Sequence, residues 1–209
     1  MNDASPSESS NPSPSSPAQS SGAFRWHIVV GVLGLLYGVG GMLLWLFMAA
    51  SAILWKPMMK LAGVGDVEPP PGMLPMGALA LGLVIVGGLL VIGSAMVLAQ
   101  RPRGLTLLRA WAFSRLVLVA IGLALGIATM AGQVDFEIRF NEAMRDKVRA
   151  DGGDASRIPD VDRESAEQKA RYMTLGFAVV LSAFPIFIAI LTTSRRKIEE
   201  VETWHEILR

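Results

Sequence analysis

Residues 31–41, GVLGLLYGVGG, place five glycines in eleven positions. Glycine reaches this density in loops that cradle a phosphate, and in membrane helices that let another helix come close. The surroundings rule out the loop. No strand precedes the stretch, no Gly-Lys-Ser/Thr follows it, and it lies within 26–55, where no residue is charged. Gly31, Gly34, Gly38 and Gly41 are spaced three, four and three apart, which puts them on one stripe of a helix. The stripe is a packing surface. Within a single chain it is an internal seam; turned outward, it is a contact for a second copy.

Three further charge-free runs follow, at 69–100, 116–133 and 172–194. About 20 apolar residues cross a hydrocarbon core of about 30 Å. A soluble helix this apolar on every side would need a far larger protein around it. The expected fold is therefore all-α, a four-helix transmembrane bundle with spans at about 27–49, 74–99, 113–133 and 172–194, forming a membrane domain over 25–194. The matching small residues are Ala80, Gly87 and Ser94, seven apart on the second span, and Gly122 and Gly126 on the third.

The flanking segments differ in kind. Residues 1–24 are rich in serine and proline and bury too little apolar surface to offset their ordering entropy, so a disordered tail is expected. The first run, 26–55, exceeds the bilayer. Trp26 and Trp45, 19 residues or about 28 Å apart on a helix, suit the two interfaces, and Pro57 is expected to end the helix soon after. Past Gly132 the chain becomes charged yet keeps helical spacing at Phe136 and Phe140, until Asp151-Gly152-Gly153-Asp154 stops it. The fourth helix is expected to start after Pro159. Asp162 or Ser165 would cap it, and Glu167 and Arg171 would form an i,i+4 pair. Residues 134–171 thus read as a short helical hairpin outside the membrane. Residues 195–209 form an amphipathic tail, with Ile198, Val201, Trp204 or His205, and Leu208 on one face.

Lysine and arginine near span ends set orientation. Arg101, Arg103, Arg109 and Arg115 cluster around the second connection, and Arg195, Arg196 and Lys197 follow the last span. These fall on one side of an even-numbered bundle, where they also suit anionic lipid head groups. The connection at 134–171 holds ten acids against eight bases. Lys56 and Lys60 oppose this bias without reversing it. Both termini are expected in the cytoplasm.

Several chemistries are excluded. Without cysteine there is no disulfide, thiolate nucleophile or zinc–thiolate site. A net charge of +1 gives no basic field for nucleic acid. His27 and His205 have no base or ligand constellation beside them, so no catalytic residue, cofactor or metal site is assigned. Asp160, Asp162 and Glu164 alternate like the opening ligands of a calcium loop. However, Ser165 stands at the turn glycine's place and Arg171 at that of the closing glutamate. Arg115, near the start of the third span, is expected to snorkel to the interface. The partners implied are the lipid bilayer and a membrane protein or second copy.

VVGVLGLLYGVGG, followed by VIVGGLLVIGSAMVLAQRPRGLTLLRAWA, resembles a loose class of bacterial four-span integral membrane proteins of unassigned activity. The shared features are the glycine pattern of 31–41, the arginine turn at 101–104 and the R-x-W-A run from Arg109 to Ala112. The resemblance covers 28–130 and implies a bacterial cytoplasmic membrane. A structural, assembly or interaction role fits these features best, with a small transporter or channel subunit as the alternative.

Overall fold

The computed structural model describes residues 25–63, 68–158 and 160–202. All regular structure among them is helical: α1 (Trp26–Leu61), α2 (Met73–Leu98), α3 (Arg103–Ala150), α4 (Arg163–Thr193) and α5 (Arg195–Glu202), with one 3-10 turn at Ala155–Arg157. The first four are each long and apolar enough to cross a membrane. Residues 1–24, Pro159, Trp204, His205 and Leu208 lie outside the described residues.

The helices pack in chain order, α1 on α2, α2 on α3 and α3 on α4. Short connections dictate this. At the end of α2, Gln100 adopts a left-handed φ of 53° and the Arg101 N–H reaches back to the Met96 carbonyl at 2.8 Å. That closure satisfies orphan carbonyls. Pro102 then prevents continuation, and α3 returns directly along α2. At the far end of α3, Gly152 takes φ 74° and the Gly153 N–H reaches the Val148 carbonyl at 2.8 Å. The stop expected at 151–154 is present.

Pro57 does not end α1. The helix passes through it to Leu61, about 54 Å in all. Proline removes one N–H and so one bond to the Ile53 carbonyl, but the next turn closes again, with Ala62 N–H on the Met58 carbonyl at 2.9 Å. Side chains from α3 support this extra turn. The Lys147 ammonium donates to the Ala62 carbonyl, and Trp55 packs edge-on to Phe136 at 5.7 Å. The projecting region is therefore three helices thick, not a two-helix hairpin alone. Phe136 and Phe140 stack at 5.7 Å and supply its small apolar centre.

Polar contacts fasten α3 to α4 there. Lys169 pairs with Glu137 at 2.9 Å and Arg163 with Asp135 at 3.1 Å. Glu167 meets Arg163 at 3.3 Å, a turn earlier than the Arg171 expected from spacing. Asp162 is the N-cap of α4, accepting the Ser165 N–H at 3.1 Å. α4 continues through Pro185, which is buried.

Candidate functional site

The seam between α1 and α2 is built by absent side chains. A Cβ at Gly31 would lie 2.3 Å from Leu98 Cγ, one at Gly34 would lie 2.1 Å from Ser94 Oγ, and one at Gly38 would lie 2.8 Å from Val91 Cγ2. These glycines face α2. Gly41 has nothing within 4 Å of a Cβ, because the seam has by then passed to Met42, which packs on Gly87. On the next interface Gly104 abuts the Val97 and Gly93 backbone, Gly122 faces Leu79, and Gly126 faces Thr174 of α4. Ala80 is buried.

These contacts also fix depth. α2 carries no charge and runs antiparallel to both neighbours. Gly104 of α3 is level with Val97, and Gly122 with Leu79. Interpolated along the helix, residue 115 is level with the middle of α2, near Val86, and not with either end. Arg115 accordingly sits at mid-bundle and not at its end, and Trp45, which it touches, lies level with it instead of at the interface expected from spacing. Arg115 is 4% exposed, its guanidinium lies over the Trp45 ring at 5.1 Å, and its Nε is buried without a hydrogen-bond partner. The Tyr37 phenol of α1 interacts with the guanidinium. Among the described residues no carboxylate pairs with it.

A cavity of about 630 Å³ opens beside Arg115, walled by all four long helices. Three aromatic rings lie on the side of Arg115 nearer the chain ends. Tyr37, Trp111 and Phe184 meet at 4.5–6.1 Å between centroids and bridge α1, α3 and α4. The walls are apolar, including Leu83, Leu123 and Phe177. At the hairpin end sit Glu137 and Lys169, whose charges neutralise each other at 2.9 Å. The cavity thus holds one uncompensated charge, at its deep end.

The other arginines are placed differently. Arg101 and Arg103 are exposed at the α2–α3 turn, and Arg195 is exposed at the start of α5. Arg109 donates to the Thr192 carbonyl at 2.6 Å, closing a C-terminal carbonyl of α4 that has no partner within the helix. Lys197 lies over the Trp26 ring at 4.8 Å. The side chain of Arg196 is outside the described residues. In the acidic segment, Asp160 is held by Arg145 at 2.9 Å and Asp162 caps α4. Among the described residues no group of three acidic or imidazole side chains could hold a metal.

Sequence reasoning missed the depth of Arg115, because the uncharged run 116–133 drew the third span toward the hairpin. A signal was available. A turn of four residues between α2 and α3 obliges residues 103–128 to run alongside α2, whatever charges they carry. Comparison with protein-family models, curated proteins and solved structures returns no match.

Proposed function

We propose that this chain is a multi-pass protein of a bacterial cytoplasmic membrane, with both termini on the cytoplasmic side, and that it works by binding and assembly. One observation carries the bilayer part. The outward surfaces of the charge-free stretches of the long helices are apolar, with Leu36, Leu43 and Phe47 on α1 and Val179, Val180 and Ile190 on α4 among the large exposed side chains. Water would not tolerate a surface this continuous on a monomer. The assembly part is supported by the division of labour in the molecule. Glycine contacts join the spans, while a charged three-helix end projects beyond them. A non-catalytic role is supported by the sequence around His27 and His205, which places no base or ligand constellation beside either. Crosslinking in native membranes should recover a discrete partner or self-oligomer; recovery of the monomer alone would count against an assembly role.

The cavity and its buried arginine favour a second reading, a small transporter or channel subunit acting as an oligomer. Intramembrane charge marks solute pathways more often than it marks scaffolds. Reconstituted vesicles that passed no ion or small solute under any gradient would remove it.

A further inference from the structure

We propose that the interhelical cavity binds a single-chain amphiphile bearing a carboxylate, a fatty-acid-like anion, with the carboxylate on Arg115. The inference rests on the bilayer reading above and adds a ligand class to it.

Three observations converge on this ligand. First, Arg115 is buried level with the middle of α2, with Nε unpartnered and no carboxylate opposite. An arginine held deep in a membrane helix is costly unless it is paired. The contact with the Trp45 ring compensates the charge only in part and offers no acceptor to Nε. A carboxylate would supply that acceptor, because the planar guanidinium fork matches two carboxylate oxygens. Second, the paired Glu137 and Lys169 leave the cavity with a net charge of one, so the complementary ligand carries one negative charge. Third, the walls between those two ends are apolar, and a volume of about 630 Å³ lies within the range of about 300–1,000 Å³ typical of small-ligand pockets. One acyl chain fits this description; a phospholipid with two chains and a head group does not. The chain runs along Leu83, Leu123 and Phe177 and stops short of the Glu137–Lys169 pair.

The test uses the full-length protein in phosphatidylcholine nanodiscs. Sedimentation with membranes, and release only by detergent, is checked first, so failure of the bilayer reading would be seen separately. Palmitate and hexadecanol, which differ in the charged group, are then titrated in parallel. Palmitate should bind saturably at one per chain and at least tenfold more tightly than the alcohol. Arg115→Gln should bring the two affinities together, and Arg115→Lys should keep part of the preference. Val119→Trp, at the cavity wall, should weaken both ligands at least tenfold. Equal affinity for acid and alcohol in the unsubstituted protein would overturn the proposal. So would a preference that survives Arg115→Gln, or binding indifferent to Val119→Trp. Displacement of palmitate by equimolar phosphatidylglycerol would assign the cavity to a diacyl lipid and also overturn it. If Arg115→Gln does not yield monodisperse protein, the acid-to-alcohol ratio and Val119→Trp decide.

Discussion

Gly104 and Gly41 present the same hydrogen to opposite surroundings. A Cβ at Gly104 would sit 2.8 Å from the Val97 amide nitrogen and 2.9 Å from the Gly93 carbonyl oxygen, both backbone atoms that cannot rotate away. Gly104→Ala must separate α2 from α3 and should cost about 1–3 kcal/mol, as overpacking does. Gly41→Ala meets nothing within 4 Å and should be neutral or stabilising by up to about 1 kcal/mol, since alanine suits a helix interior better. Thermal unfolding in detergent of the two variants side by side measures the difference; equal effects would mean the seam is not where these contacts put it. Arg109→Ala should cost about 1.5–3 kcal/mol, the scale of a hydrogen bond from a charged group, and should loosen the end of α4, read by hydrogen exchange at residues 190–193. The glycine stripe was legible from spacing alone, but which of its members meet α2 was not. Spacing reports the face of one helix, and the angle at which another crosses it is a property of the pair.

The elements show the same limit. Four long apolar helices and their stops at Gln100-Arg101-Pro102 and Asp151-Gly152-Gly153 follow from composition and turn chemistry. The persistence of α1 beyond Pro57 does not, because Lys147 and Phe136, both distant in sequence, hold that turn in place. The depth of Arg115 was hidden for a related reason: runs of charge-free residues locate apolar segments, whereas register depends on the turn that joins them. The projecting end also carries a pH-sensitive loop. Asp154 accepts both the amide and the hydroxyl of Ser156, at 3.0 and 2.6 Å, which holds its carboxyl below the ordinary carboxylate range. A lowered folded-state value means that the contribution to order is complete above the ordinary aspartate value of about 3.9 and is lost as pH falls through the lower folded value. Exchange protection at the Ser156 amide should therefore be constant from neutral pH to about pH 5 and should fall only in stronger acid. Asp154→Asn should flatten that dependence; an unchanged profile would reassign it to another group.

At the scale of the molecule, the absence of cysteine makes topology directly measurable, since any introduced thiol is unique. Asp151 and Arg101 are both exposed and lie at opposite ends of α3. With cytoplasmic termini, Asp151→Cys should react with an impermeant thiol reagent in intact cells, and Arg101→Cys should react only after lysis. The reverse pattern would invert the orientation. Gly104, although adjacent, is a poor reporter because it is packed within the seam.

The position of α5 has a practical bearing on how oligomerisation can be studied. Val201 shares an apolar cluster with Trp26, and Lys197 covers the Trp26 ring, so the outgoing end of the described chain folds back onto its incoming end. Split-reporter halves joined directly to residues 25 and 202 of one polypeptide would be neighbours within a single molecule and would reconstitute without any second copy. Complementation assays on this protein need both halves on the same terminus of separate chains, or the signal reports tertiary structure instead of dimerisation.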